Sequence, residues 1–209
     1  MRNSALEAKG ALPGIESGPG GTTHFVVVDK EGNIVSTTQT LGGTYGCGGV
    51  IEGTGIVMND KTRWMALKDS PNIVAPGHRA NIGHSPTLLL YEGKPFMAAG
   101  SPREDGIIQY VMQTIVNVID YGFNIQDAIE APRFRSRDLC YRVSMEKRIS
   151  QETRDTLRSW GHDLSAYPEW TSSVGGVEGF SVDVETGNIM GGYDPRRNSM
   201  AVGLHDIKE

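Results

Sequence analysis

Two threonines follow two glycines at Gly20-Gly21-Thr22-Thr23, directly ahead of the run "HFVVVDKEGNIVSTTQT". Cleavage of the Gly21–Thr22 peptide bond would free the α-amino group of Thr22 beside its own hydroxyl. A free α-amine titrates near pH ~8 and can take the hydroxyl proton at neutral pH, so one residue would supply both nucleophile and general base. Such a site then needs only an oxyanion hole. The alternative reading of the same residues is a flexible glycine arm leading into a sheet, with no chemistry attached.

The rest of the composition narrows what such a residue could serve. The chain has 209 residues, 38% hydrophobic and 22% charged, with a formal net charge of −5. That is one globular domain's worth of sequence, and it lacks the polycationic footprint of a nucleic-acid binder. The longest apolar run, around Ile115, is interrupted by Gln113, Thr114 and Asn117, so no membrane span is expected. Residues 1–21 lack the charged start and apolar centre of a signal peptide and read as a linker or surface arm ahead of a domain at 22–209. Cys47 and Cys140 form no CxxC pair, and His24, His78, His84, His162 and His205 show no ligand spacing. The loop "GGTYGCGG" has no P-loop lysine. Neither a metal nor a cofactor is expected.

The elements that must position Thr22 follow from turn and periodicity signals. "THFVVVDKEGNIVSTTQT" reads as a hairpin turning through Asp29-Lys30-Glu31-Gly32-Asn33, and "TLLLYEGKPFMAAG" as a second turning at Glu92-Gly93. "GIVMND" reads as a short buried strand. In "DGIIQYVMQTIVNVIDYG", Ile107, Val111, Ile115 and Ile119 recur at helical spacing, and Ile108, Met112 and Val116 widen the expected apolar face. Asn124 should cap a short helix through Glu130, with Asp127 in the reciprocal position, and Ser150 a helix ending at Gly161. Two strands, "GGVEGFSVDV" and "NIMGGYD", close the chain. Strands, helices and strands again predict an α+β fold with helices layered on sheet. The arginines of "APRFRSRD" and "DPRR" read as a solvated, salt-bridged face, with an acidic-substrate patch as the other reading.

Five blocks, "TTHFVVVDKEGNIVSTTQT", "GVIEGTGIVMND", "SPTLLLYEGKPFMAAGSP", "IIQYVMQTIVNVIDYGFNIQDAIEAPRF" and "GGYDPRRNSMAVG", resemble in order and spacing the small subunit of the γ-glutamyltranspeptidase family. The resemblance spans nearly all of residues 16–203. It implies an αββα four-layer N-terminal-nucleophile hydrolase fold, produced by autocatalytic cleavage of a precursor. It also implies Thr22 as nucleophile and Thr40 as the hydroxyl that hydrogen-bonds to it. The family's oxyanion hole uses the backbone of a Gly-Gly pair in a GSPGG loop, whose positions are Arg103 and Glu104 in "GSPREDG". Backbone donors survive that change, and the helix beginning near Asp105 points its positive end at the loop.

The recognition positions depart further from the family. An acidic residue that holds the glutamyl α-amine is replaced by Trp64 in "NDKTRWM", and a serine pair that holds the α-carboxylate by Ile82 and Gly83 in "RANIGHSPT". Asp60, Lys61 and Arg63 lie close by and offer a different pocket. Each lost charge-assisted hydrogen bond costs about 1.5–3 kcal/mol, which argues against glutathione as substrate.

The family's large-subunit segment is the expected partner, as a separate chain or an upstream part, with self-association as the other way to cover apolar surface. Three readings follow. The first is an amidohydrolase or acyltransferase whose acyl group need not be γ-glutamyl, and the second an acylase with an apolar acyl pocket around Trp64 and Ile82. The third is an uncleaved, inactive relative serving as a binding or partner subunit.

Overall fold

The computed structural model describes residues 21–103, 106–136 and 141–203. The described residues fall into two compact units, one holding residues 21–22 and 40–81, the other the described residues within 23–39 and 82–203.

Among its described residues the first unit holds little regular structure. A single 3-10 turn runs Lys61–Trp64, with isolated bridges Val50↔Val57 and Ala66↔Ile73. The strand expected at "GIVMND" does not form. Ile56, Val57 and Met58 are exposed, and they pair only in a short irregular ribbon with residues 47–51, through the bridge Val50↔Val57 and backbone bonds from Ile51 N–H to the Ile56 carbonyl, Met58 N–H to the Gly49 carbonyl and Cys47 N–H to the Met58 carbonyl. Gly53 and Gly55 take φ of +76 and +70, a backbone that bends back on itself rather than extending, so the apolar run never finds a sheet to pair with.

Strands β1 (Thr22–Val28) and β2 (Ile34–Thr40) form the first hairpin. Its turn is closed by Asp29, whose carboxylate accepts from the Asn33 backbone N–H at 2.8 Å and its side-chain amide at 2.7 Å. Gly32 takes φ +84 as the turn requires. Only the open end of this hairpin, Thr22 and Thr40, belongs to the first unit.

The second unit is built on a four-stranded antiparallel sheet, ordered β3 (Thr87–Tyr91), β4 (Lys94–Gly100), β8 (Glu178–Val182), β9 (Ile189–Gly192). The β3–β4 turn places Glu92 at φ +49 and Gly93 at φ +78, the left-handed pair of a tight hairpin. Helix α1 (Ile107–Ile119) and helix α2 (Ile125–Glu130) pack on this sheet, with Met97, Ala99, Ile107, Tyr110, Val111, Ile125, Ile129, Val174 and Val177 as the core. Burying each large apolar side chain stabilises by about 1.5–3 kcal/mol. Asn124 caps α2 by accepting from Asp127 N–H at 2.9 Å while its amide donates to the Asp127 carboxylate at 2.6 Å.

The apolar face of α1 is narrower than its sequence suggests. Ile107, Tyr110, Val111 and Thr114 form the buried stripe, whereas Ile108, Met112 and Ile119 are exposed. Thr114 fits because its hydroxyl donates to the Tyr110 carbonyl at 3.0 Å, leaving no unpaired polar atom inside.

A second, three-stranded sheet, β5 (Phe134–Ser136), β6 (Arg142–Glu146) and β7 (Asp163–Tyr167), has no counterpart in the sequence expectations. β6 and β7 pair in parallel, joined by helix α3 (Gln151–Ser159), whose cap is Ser150 accepting from Thr153 N–H at 3.1 Å. On α1, Gln109 brackets the Ser136 backbone and Gln113 the Phe134 backbone, each accepting from N–H and donating to C=O. The edge of β5 is thereby satisfied by side chains instead of another strand.

The arginine clusters are not a solvated face. Arg133 is 1% exposed, Arg135 7% and Arg196 8%. Arg133 pairs with Asp194, and Arg196 with both Asp194 (3.1 Å) and Glu146 (2.7 Å). These guanidiniums also cap backbone carbonyls of Val174, Ile129 and Ala131. Two arginines and two carboxylates from distant segments offset one another's desolvation, which alternation and clustering in sequence do not reveal. Among the described residues no helix is long and apolar enough to cross a membrane.

Candidate functional site

Thr22 opens β1 and is 7% exposed. Its Oγ1 lies 2.8 Å from Oγ1 of Thr40, the last residue of β2. Past this pair the ladder continues, with Gly21 N–H donating to the Gly42 carbonyl (3.2 Å) and Leu41 N–H to the Gly21 carbonyl (3.0 Å). Thr40 Oγ1 also accepts from Gly42 N–H at 2.8 Å. With one lone pair so occupied, Thr40 can give its proton to Thr22 or accept the proton of Thr22 through the other. The geometry therefore fixes the Thr22 hydroxyl and leaves the direction of proton donation adjustable.

Asp60 is bound into the same loop. Its Oδ1 accepts from Gly43 N–H at 3.0 Å, its own N–H donates to the Leu41 carbonyl at 2.9 Å, and its Oδ2 faces Arg63 Nη1 at 3.2 Å. This approach depends on Gly42, which takes φ +88 and whose Cβ, were there one, would overlap the Asp60 carboxylate. Trp64 carries Lys61 Nζ over its ring, 3.1 Å from the centroid, with the Arg63 guanidinium 5.9 Å away. The Trp64 carbonyl accepts from the Asn72 amide at 2.8 Å, anchoring the turn. Thr22, Thr40, Asp60, Arg63 and Trp64 thus share the first unit. The glycine-rich loop that begins at Gly42 was read from the sequence, but the part its first two glycines play here was not; the available signal was a Gly-Gly pair one residue past Thr40.

Arg103, Ile82 and Gly83 belong to the second unit. Arg103 takes φ +96, a conformation that favours glycine, so its backbone follows a glycine-like path despite the side chain. Ser101 braces this loop by donating to the Pro102 carbonyl (2.8 Å) and accepting from Gly176 N–H (3.1 Å). Glu104 lies outside the described residues, as does the expected helix start at Asp105. Helix α1 is described from Ile107 with Gly106 at its N-cap. Ile82 is 47% exposed.

Two titratable groups of the second unit are strongly perturbed. His24 is bonded to Thr38 Oγ1 at 2.8 Å and packs so closely on Gly100 that a Cβ there would overlap its ring. Burial lowers its pKa to about 4, keeping it neutral. Glu178, whose Cα pairs with Gly100 across the sheet, has its pKa raised to about 8 by burial first and by the Asp194 carboxylate second. Its Oε2 is buried with no hydrogen-bond partner among the described residues.

The γ-glutamyltranspeptidase family pattern matches residues 4–204. The glutathione hydrolase proenzyme of Pseudomonas sp. (strain A14) is 32% identical over 214 residues, covering 91% of this chain and 36% of that protein. The acylase ACY 1 proenzyme of Pseudomonas sp. (strain SE83) is 32% identical over 178 residues, 82% of this chain and 31% of the relative. Among solved structures, γ-glutamyltranspeptidase from Pseudomonas nitroreducens complexed with L-DON superposes with a TM-score of 0.76 at 25% identity, covering 88% of this chain and 100% of that one.

The fold is therefore α+β, of the N-terminal-nucleophile hydrolase type. The chain belongs to the γ-glutamyltranspeptidase family. It spans about a third of the length of the curated relatives it matches.

Proposed function

We propose that this chain carries the nucleophile of a γ-glutamyltranspeptidase-like amidohydrolase or acyltransferase, with Thr22 attacking the amide after release of its α-amine. The observation that carries this reading is the Thr22 Oγ1–Thr40 Oγ1 contact of 2.8 Å at the open end of the β1–β2 hairpin. In the reaction, Thr22 Oγ bonds to the amide carbonyl carbon while the α-amine takes the hydroxyl proton. The C–N bond then breaks, and that proton leaves with the amine. Water or an acceptor amine attacks the resulting ester, releasing the acyl group and restoring the Thr22 hydroxyl. Backbone N–H groups are the proposed oxyanion donors, as the family resemblance implies. The relatives named as proenzymes support a cleavage step. A large-subunit segment of the kind implied by the family is the proposed partner.

Intact mass of the purified chain tests this reading. Loss of 21 residues, leaving Thr22 as N-terminus, together with amide turnover abolished by Thr22→Ala, is the expected result. A chain that stays uncut and inactive in the presence of its large-subunit segment would replace the enzyme with the binding-subunit reading.

A further inference from the structure

We infer that the backbone N–H of Leu41 is the oxyanion donor for self-cleavage at Gly21–Thr22, a role separate from that of the donors used in amide turnover. The inference rests on the proposed release of the Thr22 α-amine and names the group that stabilises the transition state of that release.

In the uncut chain the scissile carbonyl already has a donor. Leu41 N–H donates to the Gly21 carbonyl oxygen at 3.0 Å, and Gly21 N–H donates to the Gly42 carbonyl at 3.2 Å. Residue 21 is therefore gripped at both its N–H and its C=O. The donor is itself fixed. The Leu41 carbonyl accepts from Asp60 N–H at 2.9 Å, and Gly42 N–H, one peptide further on, donates to Thr40 Oγ1 at 2.8 Å. Position 21 has room for glycine alone, since a Cβ there would stand 2.7 Å from the Gly43 carbonyl oxygen and 3.3 Å from Leu41 Cβ. A side chain would push the scissile carbonyl off its donor.

This geometry matters once charge develops. Thr22 Oγ1 bonds to the Gly21 carbonyl carbon and its proton passes to water, turning the carbonyl oxygen into an oxyanion. Leu41 N–H, in place before the attack, then faces a full negative charge, and a charge-assisted hydrogen bond is about twice as strong as a neutral one. The oxyanion collapses, the C–N bond breaks, and the Thr22 nitrogen takes a proton from water to leave as the free amine. Water attacks the resulting ester, releasing Gly21 as a carboxylate and restoring the Thr22 hydroxyl. An N–H that served the strand ladder alone would contribute equally before and during the attack and would not alter this rate.

The test replaces the amide N–H of Leu41 by an ester oxygen, through incorporation of leucic acid at position 41 of the full chain, produced with its large-subunit segment. Intact mass against time should show self-cleavage slowed about a hundredfold, the loss that follows removal of one oxyanion donor. Chemical unfolding in the Thr22→Ala background, where the chain stays whole, checks that the ester chain folds. Gly21→Ala should slow cleavage by roughly tenfold or more, and it decides the matter if the ester chain does not fold. Slowing of a folded ester chain by less than about tenfold, or wild-type cleavage of Gly21→Ala, would overturn the inference while leaving self-cleavage in place. A wild-type chain that stays whole is a different failure, because it removes the self-cleavage reading and the donor with it.

Discussion

Thr22 Oγ1 and Thr40 Oγ1 lie 2.8 Å apart, and the same Thr40 oxygen accepts from Gly42 N–H at 2.8 Å. Thr40 therefore couples the first residue of one strand to the loop that follows the next, and its hydroxyl is the only side-chain group bonded to the Thr22 hydroxyl among the described residues. Thr40→Val keeps the β-branched shape while deleting that oxygen. We expect self-cleavage and amide turnover to slow by roughly tenfold, the consequence of losing about 1–1.5 kcal/mol from one hydrogen bond, with Thr40→Ser close to wild type. Time-resolved intact mass and initial rates read both steps, and wild-type behaviour of Thr40→Val would remove Thr40 from the mechanism.

Arg103 is held at φ +96, where a Cβ is disfavoured. Arg103→Gly should therefore raise stability by about 1 kcal/mol, relief of strain outweighing the extra entropy of an unfolded glycine. Arg103→Ala keeps the Cβ and should bring no such gain. Urea unfolding of the two variants separates backbone strain from loss of the charged side chain.

Glu178 makes stability fall with pH. Its folded pKa of about 8 stands above the ordinary 4.5, so between these values the native state keeps a proton that the unfolded chain has released. Unfolding then releases protons, and stability declines with a slope of up to about 1.4 kcal/mol per pH unit, levelling off below 4.5 and above 8. His24 acts with opposite sign but only between pH 4 and 6.5, because its folded pKa is lowered to about 4. Between pH 6.5 and 8 the Glu178 contribution stands clear of it. Glu178→Gln should flatten the stability curve in that interval and be more stable than wild type at pH 7.5. An unchanged slope in chemical unfolding across those pH values would rule out Glu178 as its source.

Asp194 is fully buried between Arg133 and Arg196 and also accepts from Val177 N–H at 2.9 Å. Asp194→Ala leaves two buried guanidiniums facing each other with Glu146 as their remaining carboxylate, and should destabilise by about 3–5 kcal/mol. A drop of less than about 1 kcal/mol in urea unfolding would show that water or neighbouring carbonyls compensate.

Much of the second unit was legible from local signals. The Asp29–Asn33 and Glu92-Gly93 turns, the Asn124 and Ser150 caps and the closing strands stand where turn and capping residues put them, because each depends on contacts within four residues. The pairing of Thr22 with Thr40 followed from a family resemblance carried onto a hairpin whose register the turn fixes. Local signals misled where the outcome depended on a distant partner. "GIVMND" had the composition of a strand but met only the short irregular ribbon at residues 47–51 and no sheet, and α1 offered more apolar side chains than its sheet could cover.

By itself, then, the sequence determined the α+β class, the nucleophile candidate and the turns and caps that bring Thr22 opposite Thr40. Tertiary structure alone decided that Arg133 and Arg196 go inside, that β5, β6 and β7 form a sheet, and that Asp60 reaches over Gly42 to accept from Gly43 N–H. These charges are buried because most of their counter-charges arrive from elsewhere in the chain. Arg133 lies 61 residues from Asp194, and Arg196 lies 50 from Glu146, separations at which no local pattern carries information.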